Sequence, residues 1–319
     1  MTVLTMAKGL ENLAHVLVNP SKKATLKEAM PTKEWRSTVN AAEYARQVSE
    51  VFVLPETCLK IKEIIDSHVS DIDEIAELIQ FDPVLSSRLL KLANSALYSF
   101  PQQVDSVEKA VLLLGENQVY NLVVAYGAAE AFGSIDSGLI DLEVFWEQSI
   151  YCALIAKFLG TALDVRPQEP LYLAGLLHNL GELVVLSVEP DKLIAANQLH
   201  KGETPWQRQR HVLGFTYTQC TVELMRCWQL PDSLSRPLRF ISNDDASKGT
   251  VTQRILHVAA ALACAVTKPN QFQLDELINQ DVRHALNITD DQLAEAKEFA
   301  FVAGVAIMAV FNEAAVTTL

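Results

Sequence analysis

The stretch DPVLSSRLLKLANSAL, from Asp82 to Leu97, combines a helix start signal with helical spacing of its apolar residues. An aspartate such as Asp82 accepts hydrogen bonds from the free backbone N–H groups of a first helical turn. Pro83 then stands at the first helical position, where a missing N–H group costs nothing. Leucines recur three or four residues apart after it, as on one face of a helix. We therefore predict a helix that begins at Pro83.

Similar signals run along most of the chain, and strand-like alternation is nearly absent. Gly115 closes the apolar run KAVLLLG, and helical spacing resumes directly after it. Further start signals are an N-cap before proline at Thr204-Pro205 and capping boxes at Thr216 with Gln219 and at Thr289 with Gln292. The sequence predicts an all-α fold whose helices are joined by short turns.

The composition limits the classes of partner. Half of the 319 residues are hydrophobic, which is enough for a sizeable core. The formal net charge of -13 opposes binding to nucleic acid, because non-specific affinity for phosphates rests on clustered Lys and Arg. The five cysteines are scattered and contain no Cys-x-x-Cys pair, which indicates free thiols in a reducing cytoplasm. We expect a soluble, cytoplasmic protein without a nucleic-acid partner.

Neither end of the chain indicates a membrane protein. The N-terminal residues MTVLTMAKGLENLAHVL lack the continuous apolar region and the cleavage site of a secretory signal. The apolar run from Phe299 to Phe311 is shorter than the roughly 20 residues that span a bilayer. We expect a C-terminal helix that is either buried or packed on another subunit. In the second case, the chain forms a homo-oligomer through it.

Several motifs, in order, resemble the HDOD family of bacterial signalling proteins. They are Leu54-Pro55, Asp82-Pro83, the run from Leu89 to Tyr98, Ser106, and the LLG that ends at Gly115. The similarity continues to at least Ile241. The resemblance implies an N-terminal helical bundle packed on a degenerate HD-like helical half. We accordingly predict an N-terminal helical extension (1–45), an HDOD domain (46–245) and C-terminal helices that pack on the HD-like half (246–319).

The HDOD family is related to the HD-domain phosphohydrolases, whose histidines and aspartates hold divalent metals that activate water. Alignment by motif places the first metal histidine on Gln148 and the later one near Tyr217. The His-Asp doublet falls on His178-Asn179, in AGLLHNLGELVV, and the final aspartate falls on Ala260. Only His178 keeps a ligand's chemistry, because the neutral oxygen of Asn179 binds a hard cation much less strongly than a carboxylate. The resemblance therefore implies no metal and no cofactor.

A lone histidine at the end of an apolar helix is more often a buried residue with satisfied ring nitrogens than half of a metal site. We interpret His178 in that way. The remaining histidines form no i, i+4 pair, and we interpret each of them as a surface or helix-end residue: His15, His68, His200, His211, His257 and His284.

The polar residues around the family's most distinctive stretch are the candidate interaction surface: Asn94, Ser95, Tyr98 and Ser106. Two interpretations remain open. The side chains at the helix end tie down the following loop PQQVDS, or they form a surface on which a partner docks.

The resemblance implies a non-catalytic signalling or regulatory module that acts through signalling proteins as partners. Two alternatives from other classes stand beside it. One is a module that binds a nucleotide or cyclic dinucleotide, and the other is a residual metal-dependent phosphohydrolase. The lost ligands disfavour the phosphohydrolase, and the sparse basic residues weaken the nucleotide alternative.

Overall fold

The computed structural model describes residues 40–66, 72–95, 97–98, 100–133, 135, 138–166, 169–200, 202–239, 241–242, 246–278 and 280–316. Within these ranges the chain contains α-helices and one short 3-10 helix (Ala246–Lys248), and no strand. The all-α prediction is confirmed. Most of the predicted N-terminal extension, namely residues 1–39 with His15, lies outside the described residues, as does His68.

The helices are numbered in chain order. They are α1 (Ala41–Ser49), α2 (Glu56–Asp66), α3 (Ile72–Gln80), α4 (Pro83–Ala93), α5 (Val107–Leu114), α6 (Glu116–Ala131), α7 (Leu142–Ala162), α8 (Glu169–Leu177), α9 (Leu180–Val188), α10 (Pro190–Asn197), α11 (Pro205–Leu213), α12 (Tyr217–Cys227), α13 (Asp232–Leu238), α14 (Val251–Thr267), α15 (Leu274–Leu277), α16 (Gln280–Leu286) and α17 (Asp290–Val316).

Helices α2 to α6 pack on one another as an N-terminal bundle. The predicted start of α4 is confirmed, because the Asp82 carboxylate accepts from the N–H groups of Val84 (3.1 Å) and Leu85 (2.9 Å). The end of α5 is confirmed as well. Gly115 closes it with a φ of 79°, in the left-handed region that favours glycine, and α6 starts at the next residue.

Helices α7 to α14 form the HD-like half, with α7 at its centre against α8, α14 and α17. Helix α6 packs on α8 and so connects the bundle to this half. Helix α1 precedes the bundle in sequence but packs on α9 and α12, where the buried Tyr44 meets Phe215 edge to face. Each capping box predicted for this region and for α17 is confirmed by hydrogen bonds in both directions.

The stretch Pro170–Val188 is long and apolar enough to cross a membrane, but 83% of it is buried inside the protein. It consists of α8 and α9, with a turn at His178-Asn179 between them. Its hydropathy is therefore explained by its place in the core of the HD-like half.

Helix α17 has two apolar faces. One face packs on α7, where Gly304 lies so close to Tyr151 that an added Cβ would be 2.7 Å from the ring. The other face exposes three large apolar side chains to solvent: Phe301, Val302 and Val305.

Candidate functional site

Three of the five positions aligned with HD metal ligands line one cavity of about 250 Å³. Gln148 reaches it from α7, Asn179 from the turn before α9, and Tyr217 from the first residue of α12. The structure thus brings these three residues to one cavity. They are positions that the alignment by motif gives to metal ligands of HD hydrolases.

His178 lies behind the cavity wall and is 3% exposed. Its Nδ1–H donates to the carbonyl oxygen of Gly175 at 2.7 Å. Burial lowers the pKa of His178 from 6.5 to about 4, although the bond to Gly175 acts in the opposite direction. The prediction of a buried histidine with a hydrogen-bonded ring nitrogen is confirmed. Ala260 is also buried, and it does not contribute to the cavity wall.

Two glycines of AGLLHNLGELVV allow the helices to approach closely enough to place this turn. A Cβ on Gly175 would lie 2.8 Å from the Cα of Ala153 in α7, and one on Gly181 would lie 2.0 Å from the carbonyl oxygen of Tyr217. The Gly181 N–H donates to the hydroxyl of Thr221 at 2.8 Å, and that hydroxyl lies 3.0 Å from the carbonyl oxygen of His178. The His178-Asn179 turn is thereby fixed against α12.

A buried carboxylate, Glu182, is the acceptor at the end of a hydrogen-bond network in the cavity wall. It is 6% exposed and accepts from the side-chain amides of Asn179 (2.5 Å) and Asn197 (2.9 Å). The Tyr217 hydroxyl in turn donates to the amide oxygen of Asn197 at 2.9 Å. Because every bond in this chain donates towards Glu182, the network stabilises a negative charge on it.

The network also explains why an asparagine at position 179 suits this chain. An aspartate there would place a second carboxylate at hydrogen-bonding distance from Glu182, with no proton between them. Two such charges repel each other unless a proton or a metal ion separates them. Asn179 supplies N–H groups instead and satisfies Glu182 without a metal.

Burial also affects the neighbouring ionisable groups. It raises the pKa of Tyr217 well above its usual value, and the charge of Glu182 adds to the effect. Burial raises the pKa of the Cys264 thiol, which lines the cavity, to about 11. The phenol and the thiol are therefore protonated near neutral pH and can donate hydrogen bonds. Among the described residues, no group of three or more His, Cys, Asp or Glu side chains is arranged to hold a metal ion.

The polar residues of the cavity that sequence reasoning missed include Glu182, Asn197, Gln209 and Lys268. Glu182 carried a usable signal, since it is the single charge within the apolar run AGLLHNLGELVV. The other three belong to separate segments of the chain and carried no local pattern.

The interpretation of His257 as a surface or helix-end residue was wrong. It lies in the middle of α14 and is 3% exposed. Its Nδ1 bonds the carbonyl oxygen of Ile241 at 2.6 Å, and its ring meets Trp206 edge to face. The hydrogen bond compensates for burial of the ring. The remaining histidines in the described residues, His200, His211 and His284, are exposed as expected.

In the candidate interaction surface, Asn94 and Ser106 have local structural roles. The amide of Asn94 donates to the carbonyl of Val104 at 2.7 Å, and the Val104 N–H donates back to Asn94 Oδ1 at 2.8 Å. Ser106 caps α5 by accepting from the Lys109 N–H at 3.2 Å. These bonds support the interpretation in which the helix end ties down the following loop.

Tyr98 and Ser95 are less exposed than a simple docking surface requires. Tyr98 is half-buried, stacks on Phe100, and donates its hydroxyl proton to Gln118 Oε1 at 3.2 Å. Ser95 is buried, and its hydroxyl oxygen has no hydrogen-bond partner among the described residues. Docking at this surface stays a prediction.

An all-helical half with a buried His-Asn turn over a cavity, joined to an N-terminal bundle, defines the chain as HD-like. The profile of the HDOD domain family matches residues 51–243. The chain belongs to the HDOD domain family.

Solved structures share the fold at low sequence identity. An HDOD domain protein of unknown function from Geobacter sulfurreducens is 20% identical, with a TM-score of 0.62 over 86% of this chain and 98% of that one. A Shewanella amazonensis SB2B protein provisionally named a phosphohydrolase is 22% identical, with a TM-score of 0.65 over 85% and 97% of the two chains. A Marinobacter aquaeolei VT8 protein provisionally named a signal transduction protein is 24% identical, with a TM-score of 0.61 over 86% of this chain and 65% of that one.

A protein of Treponema pallidum (strain Nichols), described only as uncharacterized, is 27% identical over 252 residues. The match covers 76% of this chain and 48% of that protein. The chain thus spans about half the length of the curated relative that it matches.

Proposed function

We propose that this chain is a non-catalytic HDOD signalling module that acts through protein partners in the cytoplasm. The observation that carries the proposal is the network around Glu182, in which amides and a phenol occupy the former ligand positions. An HD hydrolase needs several imidazoles and carboxylates there to bind metal and lower the pKa of a bound water. Gln148, Asn179 and Tyr217 supply neutral groups instead.

The name of the Marinobacter neighbour agrees with a signalling role, whereas that of the Shewanella neighbour agrees with the hydrolase alternative. The chemistry of the cavity supports the signalling role for this chain. In the network around Glu182, the side chains of Asn179, Asn197 and Tyr217 already pair, and that pairing needs no metal to hold them. We therefore prefer the adaptor to the residual phosphohydrolase.

The proposal includes self-association through α17. Its exposed Phe301, Val302 and Val305 form a continuous apolar strip, because Val305 lies four residues after Phe301 and three after Val302, the spacings that make neighbours on a helix surface. A second copy of the chain that covered this strip would remove it from water.

The experiment that tests the proposal combines an assay with partner capture. Purified protein is incubated with Mg²⁺ or Mn²⁺ and with nucleotide and cyclic-dinucleotide substrates, and tagged protein is used to capture partners from its native cells. The proposal predicts no turnover and reproducible capture of a signalling protein. Turnover in the wild type that is lost in His178→Ala would overturn it in favour of the phosphohydrolase.

The candidate interaction surface is tested in the same capture by two variants of Tyr98. Tyr98→Phe keeps the stacking on Phe100 and removes the bond to Gln118, whereas Tyr98→Ala removes both. If the surface docks a partner, Tyr98→Ala weakens capture by more than tenfold, because aromatic anchors dominate interfaces. A well-folded Tyr98→Ala protein that captures as the wild type does would remove this surface from the proposal.

A further inference from the structure

Gln148 is the polar side chain of the cavity that the network leaves unpaired. It is 8% exposed, and its buried Oε1 accepts no hydrogen bond from the described residues. A buried amide oxygen without a partner is costly and calls for an explanation. Rotation of the Gln148 amide about its last side-chain torsion would bring Oε1 to the cavity, where a bound molecule that donates a hydrogen bond would supply the missing partner.

The charges around the cavity disfavour a phosphate. Glu182 is buried in its wall and Asp141 stands at its edge, whereas Lys268 is the only cation among the described residues that line it. A phosphate group would meet two carboxylates for one ammonium group. The cavity instead suits a ligand without negative charge.

The size and the apolar walls of the cavity limit the ligand further. At about 250 Å³ it is smaller than the roughly 300–1,000 Å³ of pockets that hold drug-sized molecules. Phe145, Leu199 and Phe272 supply apolar surface for a flat ring. The amide of a glutamine can pair with the amino group and the adjacent ring nitrogen of adenine through two parallel hydrogen bonds.

We propose that this cavity is a metal-free binding site for a free aminopurine base, with the Gln148 amide reading the amino edge of the ring. The inference rests on the proposed function, because a ligand held without metal is bound and not hydrolysed. Binding would fill the space between α7, α9, α10 and α12 and so couple the ligand to the packing of the HD-like half.

The test measures adenine binding to the full chain by isothermal titration calorimetry, with purine and AMP as comparison probes. Purine lacks the amino group that Gln148 would read, and AMP adds a phosphate. We expect adenine to bind, and purine and AMP each to bind at least tenfold more weakly. Absence of adenine binding, purine binding as tight as adenine binding, or AMP binding tighter than adenine binding would overturn the proposal.

Two leucine variants complete the test. Gln148→Leu keeps most of the side-chain volume and removes the unpaired amide, so it should fold with an unchanged or higher melting temperature and bind adenine at least tenfold more weakly. Gln103→Leu, in the exposed loop before α5, is the matched control and should bind as the wild type does. Should Gln148→Leu fail to fold, Gln148→Glu replaces it, with the same expected loss because its carboxylate offers no N–H. A folded Gln148 variant with wild-type affinity would overturn the assignment.

The fate of the ligand separates this inference from the proposed function. Adenine should be recovered intact after incubation with the protein. Hydrolysis of nucleotide substrates would contradict the non-catalytic function whether or not adenine binds. An inactive protein that does not bind adenine would contradict the binding site alone.

Discussion

The N-terminal bundle and the HD-like half use their polar side chains in different ways. In the bundle, Asp82 and Ser106 bond to backbone groups within three residues along the chain, and Asn94 ties down the loop that follows its own helix. In the HD-like half, the buried Glu182 accepts from Asn179 at the start of its own helix and also from Asn197 in α10, which Tyr217 of α12 bonds in turn. The difference teaches that the bundle's polar groups stabilise single helices, whereas those of the other half hold several helices around a cavity.

The largest expected effect comes from removing the acceptor of the buried network. Glu182→Ala leaves the amides of Asn179 and Asn197 without their carboxylate, and breaking a buried charged network costs about 3–5 kcal/mol of unfolding free energy. Urea unfolding measures the change. Glu108→Ala is the control from the bundle, where an exposed carboxylate bonds the side chain of Gln80, and its unfolding free energy should stay close to that of the wild type. Equal losses of unfolding free energy in Glu182→Ala and Glu108→Ala would contradict the difference between the two regions.

The next effect is a dependence of stability on pH that originates in the HD-like half. His178 has a pKa of about 4 in the folded protein and about 6.5 when unfolded, so the unfolded chain binds a proton first as the pH falls. Its contribution is present above pH 6.5 and is lost as the pH falls from 6.5 to 4. The full loss is about 3 kcal/mol.

His178→Gln isolates this contribution, because the glutamine can still donate a hydrogen bond but does not titrate. Urea unfolding of both proteins at several pH values gives the difference between them. That difference should change between pH 6.5 and 4 and be constant above pH 6.5. A difference that is independent of pH would contradict the neutral, buried state of His178.

A smaller effect follows from restoring the His-Asp doublet. Asn179→Asp replaces a hydrogen bond to Glu182 by a contact between two carboxylates, and we expect a loss of about 2 kcal/mol at neutral pH. Adding Mn²⁺ should not recover the loss, because Gln148, Tyr217 and Ala260 offer no further metal ligands. Thermal melts with and without Mn²⁺ measure both quantities, and stabilisation by the metal would show that the cavity still accepts one.

The smallest expected effect lies in the bundle. Asp82→Ala removes the side-chain cap of α4 and should cost about 1 kcal/mol. If Asp82→Ala lost as much unfolding free energy as Glu182→Ala, polar groups of the bundle would matter as much to stability as those of the HD-like half.

The same difference explains how much could be predicted from the sequence. The caps at Asp82, Thr216 and Thr289 were predicted because donor and acceptor lie within a few residues. The positions Gln148, Asn179 and Tyr217 were found through the resemblance to HD proteins. Their chemistry could not be predicted in full, because it depends on how α9, α10 and α12 pack.

Glu182 and His257 mark the limit of the pattern-based reasoning. The sequence around Glu182 does not indicate that Asn197, fifteen residues later, donates a hydrogen bond to it. His257 was misplaced because a histidine's residue type does not fix its exposure. Its burial depends on a carbonyl group from Ile241 and on the ring of Trp206, both outside α14.

The central claim is that the former catalytic cleft is complete without a metal, and elemental analysis tests it most directly. The purified protein is incubated with Zn²⁺, Mn²⁺, Fe²⁺ and Mg²⁺, dialysed, and assayed for bound metal beside His178→Ala. The account predicts no stoichiometric metal in either protein, because the side chains at Gln148, Asn179, Tyr217 and Ala260 are poor ligands or none. One equivalent of metal in the wild type that is absent from His178→Ala would contradict it.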